Sequence, residues 1–345
     1  MTAPAYPPKP APGDRIAVVS PSSGLPGLFP LPYELGLRRL REDFGLEPVE
    51  YPATRTMGST PRERADDIHA AFADPTVKAV MASIGGDDQI TVLPLLDREL
   101  IRANPKPFFG FSDNTNLLLF LHNLGIVGYH GACVMTEIGR PYALHPLTAD
   151  SVRAALFTSG PYELRPARQY RDRDRDWADP ATFAAEPEAQ PGEGWTWHRP
   201  DRLVEGRAWG GNLEILSWLL MADREIERDP AAYEGRVLFL ETSEEMPSAE
   251  EVFRILRNMG ERGLLERFPA LLMGRAKAWS FRQANDGGGK RRYAAEQRAA
   301  VLAAYAPRTM AVFDVDFGHT DPQLVIPYGG RVRVDGPARR ITVTY

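Results

Sequence analysis

Short apolar runs, of the length of strands that are buried on both faces, occur six times along the chain. They lie at 15–20, 78–84, 106–111, 236–240, 270–273 and 310–314. Segments with helical spacing or helix-start signals lie between them, at 33–44, after the hydroxyl residues and Pro61 of 59–63, and at 89–103, 113–124, 212–220 and 248–263. This alternation predicts an α/β fold with a mostly parallel sheet flanked by helices.

The pattern changes near Pro161, where charged and proline-rich sequence begins. We interpret 165–205 as a linker with surface loops, which divides the chain into two domains. The first, 1–164, is predicted to carry the mostly parallel sheet, with 1–14 as an extended Pro-rich tail. The second, 206–345, is predicted to be a mixed α/β domain that ends in a β-hairpin, because its alternating end turns at Asp335-Gly336.

Composition narrows the class of protein. Of 345 residues, 43% are hydrophobic and 25% are charged, and the net charge of −5 argues against binding to a nucleic-acid polymer. The N-terminus lacks the apolar core of a signal peptide, and no segment reaches the roughly 18 apolar residues of a membrane span. We therefore expect a cytoplasmic protein without membrane association. The single cysteine, Cys133, has small or apolar neighbours that favour a buried structural thiol over a nucleophile.

Ser112 is the candidate nucleophile because it lies where a predicted strand gives way to a predicted helix. A tight turn there exposes the hydroxyl, and free N–H groups at the helix start stabilise a developing oxyanion. The layout resembles the G-x-S-x-G elbow of many hydrolases, with Asn114 in place of the second glycine. The alternative is that Ser112 only caps the helix, and the local sequence taken alone favours that cap.

His319 is the candidate base among six histidines because it lies directly beyond the C-terminal end of the strand predicted at 310–314. In open α/β sheets, sites form at that edge. The alternative is a loop histidine that bonds to Asp316 or Asp321. No two histidines have the spacing of metal ligands, so no metal site is expected.

Glu241 is the candidate partner of the histidine. It follows four apolar residues, and a charge at that boundary is costly unless it is paired or hydrated. Accepting the second N–H of a histidine would pair the carboxylate and fix the reactive tautomer. Glu244 and Glu245, in the following loop, are near rivals.

Gly85-Gly86 follow a predicted buried strand, and such a pair lets the backbone present N–H groups to an oxyanion or to a phosphate. Gly-Gly-Asp-Gly loops occur in some small-molecule kinases, which makes phosphate binding the competing interpretation. Here the sequence continues with Asp87-Asp88-Gln89, so an aspartate stands where the kinase loop has its last glycine, and no neighbouring pair of hydroxyl residues follows. Both differences argue against phosphoryl transfer.

Taken in order, these segments resemble the LD-carboxypeptidase family of serine peptidases, which includes the microcin C immunity peptidases. The resemblance covers nearly the whole chain. It is carried by the opening strand at 13–22, Ile84-Gly85-Gly86-Asp87-Asp88, Phe111-Ser112-Asp113, Gly210-Gly211-Asn212-Leu213, Leu240-Glu241 and Phe317-Gly318-His319-Thr320. Each motif is short, but together they occur in the order found in the family. That order favours Ser112 and His319 as catalytic residues over a helix cap and a loop histidine.

The resemblance implies a Ser-His-Glu triad of Ser112, His319 and Glu241, with the serine from the first domain and the other two from the second. It also implies an oxyanion hole formed by backbone N–H groups of Gly85 or Gly86 and of Asp113. No cofactor is implied, and the family suggests a homodimer.

The family has two branches that act on different substrates. Classical members of the family remove a terminal D-alanine from murein tetrapeptides, whereas the microcin-immunity branch cuts the bond between an amino acid and a modified nucleotide. The tryptophans at 165–202 favour the second branch, with Trp177 and Trp195 as candidates to stack on a base; packing inside the excursion is the alternative. Asn212 and Lys277 are the other candidate substrate-binding residues, and Ala276 stands where the family pattern leads us to expect proline.

We therefore predict a serine peptidase or amidase that works through an acyl-enzyme and detoxifies aminoacyl- or peptidyl-nucleotide compounds. A murein tetrapeptide LD-carboxypeptidase is the alternative enzyme. The alternative outside enzymes is an inactive homologue that binds a peptide or nucleotide without cutting it.

Overall fold

A computed structural model describes residues 4–186, 188–305 and 309–345. Residues 1–3 of the predicted tail, Pro187 of the predicted surface loops and residues 306–308 of the predicted second domain lie outside the described residues.

Two large sheets organise the chain, and the first has six strands in the order β14-β5-β4-β3-β1-β2. Its strands are β1 (Arg15–Val19), β2 (Glu47–Glu50), β3 (Val77–Ala82), β4 (Phe108–Gly110), β5 (Gly128–His130) and β14 (Ile326–Tyr328). All neighbours pair in parallel except β14, which runs antiparallel to β5. The last strand of this sheet therefore comes from the far end of the chain.

The second sheet has eight strands in the order β6-β16-β15-β10-β11-β12-β13-β9. They are β6 (Pro161–Leu164), β9 (Thr196–His198), β10 (Leu203–Asn212), β11 (Val237–Glu241), β12 (Ala270–Gly274), β13 (Met310–Val315), β15 (Arg331–Asp335) and β16 (Arg340–Thr344). The central four, β10 to β13, are parallel, and the flanking strands are antiparallel. Every residue of β11 and β12 is buried, which explains their uninterrupted apolar sequence.

Within the described residues, eight α-helices connect these strands. They are α1 (Pro30–Glu42), α2 (Pro61–Ala73), α3 (Arg98–Ala103), α4 (Thr115–Asn123), α5 (Pro146–Phe157), α6 (Leu213–Met221), α7 (Ala249–Glu261) and α8 (Gly287–Ala304). The hydroxyl cap predicted before Pro61 is Thr60, which forms a capping box with Glu63. These elements confirm the predicted α/β class, and β15 and β16 confirm the terminal hairpin.

One predicted helix is wrong. Over 89–103 the chain forms two short 3₁₀ turns, Gln89–Thr91 and Leu93–Leu95, and only Arg98–Ala103 is α-helical. Pro94 has no N–H to donate and disfavours a continuous helix through this segment. Asp97 then caps α3 by accepting from the N–H groups of Glu99 and Leu100.

The segment predicted as linker and surface loops is tied to the body of the protein. A small sheet joins β7 (Gln169–Tyr170) to β8 (Gln190–Pro191), and β9 forms the edge of the second sheet beside β13. The described part of the Pro-rich tail also packs down, since Ala5 exchanges backbone hydrogen bonds with Gly125 and Val127.

Cys133 is buried and free, as predicted. Among the residues that the structure describes, no helix is long and apolar enough to cross a membrane.

Candidate active site

Ser112 begins a 3₁₀ turn, Ser112–Asn114, between the end of β4 and the start of α4. Its φ of +60° lies in the left-handed region that residues other than glycine rarely adopt. Within the described chain its hydroxyl makes no hydrogen bond, and no side chain caps α4. The turn therefore presents a half-buried, uncommitted hydroxyl at the carboxyl edge of the first sheet, which contradicts the helix-cap interpretation.

Gly85 lies directly against this serine. A β-carbon at position 85 would stand 3.0 Å from Cβ and 3.2 Å from Oγ of Ser112, and 3.5 Å from the backbone nitrogen of Asp113. Gly86 has a φ of +152°, and a β-carbon there would overlap the Ser22 hydroxyl. The glycine pair thus allows two stretches of backbone to meet at the serine.

The Asp113 side chain stabilises the turn that carries Ser112. The fully buried carboxyl accepts from the backbone N–H of Gln89 (2.9 Å), the amide of Asn116 (2.7 Å) and the hydroxyl of Ser22. Burial raises the pKa of Asp113, although the hydrogen bonds from Ser22 and Gln89 oppose the rise. The sequence pointed only to the backbone N–H of Asp113, and this structural role of its side chain was missed.

His319 and Glu241 form a short hydrogen bond. Nδ1 of the ring lies 2.6 Å from Oε2 of Glu241, the last residue of β11, whose side chain is only 1% exposed. Burial opposes ionisation of Glu241, but the charge and hydrogen bond of His319, with help from His130, lower the pKa of Glu241 to about 2. Burial likewise disfavours the charged ring, yet the neighbouring carboxylates hold the pKa of His319 well above its usual range.

Two glycines make room for this pair. A β-carbon on Gly318, whose φ is +92°, would stand 2.7 Å from Cβ and 2.8 Å from Oε2 of Glu241. One on Gly274 would stand 2.9 Å from Cβ of the same glutamate. The loop of His319 and the end of β12 therefore close tightly around Glu241.

Two further residues of this region were missed by sequence reasoning. Nε2 of the buried His130, at the end of β5, lies 3.8 Å from Oε1 of Glu241. Gln323 accepts from the N–H of Ala132 and donates to the carbonyl of Gly318, both at 2.6 Å. The only sequence signal was the position of His130 near a strand end, and nothing marked Gln323.

Glu244 reaches His319 from the opposite side of the ring. Its Oε2 lies 3.1 Å from Nε2 of His319. The sequence had raised Glu244 as a rival to Glu241, and the structure places both carboxylates on the same imidazole.

Asn212 ends β10 beside Glu241 and caps α6 by accepting from the N–H of Ile215 (3.0 Å). Its backbone N–H donates to Oγ1 of Thr115 (3.1 Å), at the start of the helix that follows Ser112. Nδ2 of Asn212 is buried and has no hydrogen-bond partner among the described residues.

The two candidate tryptophans lie in different surroundings. Trp195 donates its indole N–H to Asp316 (2.9 Å), in the segment that leads to His319, and so helps to hold that segment. Trp177 packs nearly perpendicular to Phe29, in the connection from β1 to α1, with ring centres 5.8 Å apart. Contact of either ring with a substrate stays a prediction.

Lys277 is committed to protein partners. Its ammonium lies 2.5 Å from Oδ1 of Asp174 and 2.9 Å from the carbonyl oxygen of Asp172, and its side chain is 6% exposed. These contacts fasten the excursion to the loop after β12. A direct contact of Lys277 with substrate therefore remains a prediction that the resting arrangement does not favour.

The structure thus brings His319 and Glu241 into contact and places Gly85 and Asp113 at Ser112. Phe111, the neighbour of Ser112, packs its ring against His319 with centres 5.0 Å apart. No hydrogen bond joins Ser112 to His319 in the described ranges, and Nε2 of His319 lies 3.1 Å from Glu244. Across those same ranges, no three His, Cys, Asp or Glu side chains form a group suited to a metal ion.

Comparison with known proteins identifies the family of this chain. Residues 16–131 match the LD-carboxypeptidase N-terminal domain, and residues 205–334 match the LD-carboxypeptidase C-terminal domain. A putative carboxypeptidase of Vibrio cholerae is 28% identical over 94% of this chain and 92% of its own. The microcin C7 self-immunity protein of Escherichia coli is 27% identical, covering 83% and 79%. A probable murein peptide carboxypeptidase of Bacillus subtilis is 27% identical, covering 94% and 89%.

Solved structures share the fold over nearly their full length. A protein of Streptococcus pneumoniae similar to the self-immunity protein, crystallised with AMP, superimposes with a TM-score of 0.85 at 25% identity, covering 96% of this chain and 99% of that one. The self-immunity protein with aspartyl sulfamoyl adenosine gives 0.85 at 24% identity, with 99% of each chain covered. Together with the two domain matches, these similarities show that the chain belongs to the LD-carboxypeptidase family of serine peptidases.

Proposed function

We propose that this protein hydrolyses an amide bond through an acyl-enzyme on Ser112, with His319 as base and Glu241 as the carboxylate that orients it. The observation that carries the proposal is the 2.6 Å bond between His319 and Glu241, in a loop that packs on the residue before Ser112. A carboxylate on Nδ1 leaves Nε2 as the atom that exchanges protons with substrate.

The reaction follows from these positions. Oγ of Ser112 attacks the amide carbonyl while Nε2 of a neutral His319 takes the hydroxyl proton. The C–N bond then breaks as that proton passes to the leaving nitrogen, and water hydrolyses the resulting ester with His319 again acting as base. Backbone N–H groups of Asp113 and of Gly85 or Gly86 would stabilise the oxyanion, and the close approach of Gly85 to Ser112 and to the Asp113 nitrogen supports this assignment.

For the substrate we propose an aminoacyl- or peptidyl-nucleotide compound. Two structures with this fold hold AMP and aspartyl sulfamoyl adenosine, which supports a site of nucleotide size. Trp177 is the better candidate to stack on a base, because the indole N–H of Trp195 is already bonded to Asp316. The similarity to a probable murein peptide carboxypeptidase supports the alternative, removal of a terminal D-alanine from a murein tetrapeptide.

The experiment offers both substrate classes to the wild-type protein and to Ser112→Ala. We expect mass spectrometry to show cleavage of an aminoacyl sulfamoyl adenosine by the wild type, with turnover reduced by about 10⁴-fold or more in Ser112→Ala. Ser59→Ala is the matched control, since that loop hydroxyl bonds only to the carbonyl of Thr56 within the described chain.

Each outcome decides one part of the proposal. Turnover that survives in Ser112→Ala rejects the nucleophile. Cleavage of the murein tetrapeptide alone replaces the substrate class. Binding without turnover of either compound identifies an inactive binding homologue.

A further inference from the structure

The nitrogen that the proposed mechanism requires is already occupied. Nε2 of His319 faces Oε2 of Glu244 at 3.1 Å, while Nδ1 faces Oε2 of Glu241 at 2.6 Å. An ionised carboxylate only accepts hydrogen bonds, so a ring between two of them carries a proton on each nitrogen. In this arrangement His319 is an imidazolium, which cannot accept a proton from Ser112.

The two carboxylates differ in their freedom to move. The side chain of Glu241 is 1% exposed and is enclosed by Gly274 and Gly318. The side chain of Glu244 is 56% exposed, in the loop between β11 and α7, and its only side-chain partner in the described chain is His319. Rotation of the Glu244 side chain alone would therefore release Nε2.

Other charged groups near the two carboxylates or in the segment that leads to His319 are held in place. His130 lies 3.8 Å from the second oxygen of Glu241, and Glu214, on α6, accepts from the N–H and hydroxyl of Ser243. Arg275 pairs with Asp316 at 3.0 Å in the segment that leads to His319. Of the acids closest to the ring, Glu244 is the exposed one.

Two further charged residues, Lys277 and Glu245, lie near Glu244. Lys277 acts on Glu244 by its charge, while its ammonium stays bonded to Asp174. Glu245 is exposed and makes no side-chain contact with His319 in the described residues. Neither competes with His319 for a direct bond to the Glu244 carboxylate.

We propose that Glu244 is a positioning residue that keeps His319 protonated and its Nε2 occupied at rest, and that a substrate entering the cleft displaces it. Once Glu244 has moved, the Nε2 proton passes to solvent water, and the neutral ring keeps its Nδ1 proton on Glu241. Nε2 then has a free lone pair for the Ser112 proton. This inference rests on the proposed triad.

The test is Glu244→Gln, which keeps the size of the side chain and removes its charge. In the profile of kcat/KM against pH, the acidic limb is expected to move about one unit lower, the effect of a unit charge at this distance across water. Below the wild-type limb, kcat/KM should rise about tenfold, while the alkaline plateau stays unchanged. Glu245→Gln is the matched control and should reproduce the wild-type profile.

A second measurement tests the contact between Glu244 and His319 without substrate turnover. NMR titration of the His319 ring nitrogens in the full chain is expected to give a lower pKa in Glu244→Gln than in the wild type, and Glu244→Ala should behave in the same way. Titration curves that coincide for wild type and both variants overturn the inference.

The two proposals fail in different ways. A lower pKa of His319 in Glu244→Gln, together with turnover that survives in Ser112→Ala, keeps the Glu244 contact and rejects the nucleophile. An unchanged titration with an inactive Ser112→Ala does the reverse.

Discussion

The turn that carries Ser112 and the loop that carries His319 lie at the ends of different sheets and are held by different interactions. Around Ser112, hydrogen bonds converge on the Asp113 carboxyl from a backbone N–H, an amide and a hydroxyl. Around His319, two carboxylates and a second imidazole meet with few neutral partners. The first region depends on shape and hydrogen bonding, and the second on charge, so mutation and pH should affect them differently.

After the loss expected for Ser112→Ala, the largest expected effect is on the charged side. Glu241→Gln removes the anion that selects the Nδ1–H tautomer of His319, and the loss of kcat is expected to be about 10³–10⁴-fold. Steady-state kinetics with the cleaved substrate measure it, and circular dichroism checks that the fold persists. A kcat within tenfold of the wild type would show that Glu241 does not orient the base.

The second effect is on the hydrogen-bonded side and concerns stability. Asp113→Asn places an NH₂ group among donors that need acceptors, and the free energy of unfolding is expected to fall by about 1–3 kcal/mol. Urea denaturation measures it. Asp87→Asn, at an exposed neighbour, is the control and should stay within about 0.5 kcal/mol. Equal stability of Asp113→Asn and Asp87→Asn would show that the hydrogen bonds to Asp113 do not stabilise the region around Ser112.

The smallest effect is the dependence of stability on pH. The raised pKa of His319 gives stability that is present below about pH 6.5 and is lost as pH rises through the value in the folded protein. The pKa of Glu241, lowered to about 2, gives stability that is present above about pH 4.3 and is lost as pH falls toward 2. The free energy of unfolding of the wild type should therefore exceed that of Glu241→Gln by the largest amount between these two pH values. Parallel curves of unfolding free energy against pH for the two proteins would contradict the coupling.

The difference between the two regions also explains what the sequence could predict. Strands buried on both faces, such as β1, β3, β11 and β12, are recognisable in the sequence as apolar runs, and each draws attention to the polar residue at its carboxyl end. This reasoning singled out Glu241 as a candidate.

Other elements carry no such signal. The first half of β10 is partly exposed and its second half contains Gly210 and Gly211, and β14 is three residues long with a central proline. Their pairing depends on partners far away in the chain, which local patterns do not encode. The contact of Glu244 with His319 depends on the path of a loop, so the sequence placed Glu244 nearby without assigning its partner.

The pairing of β14 with β5 has a consequence for biosynthesis. A ribosome that has released residues up to α4 has already delivered Ser112, yet the sheet beneath it still lacks Ile326–Tyr328 at its edge. The sheet that supports the proposed nucleophile is therefore complete only after residue 328 has been synthesised. A product that terminates before Ile326 would carry Ser112 without its finished sheet.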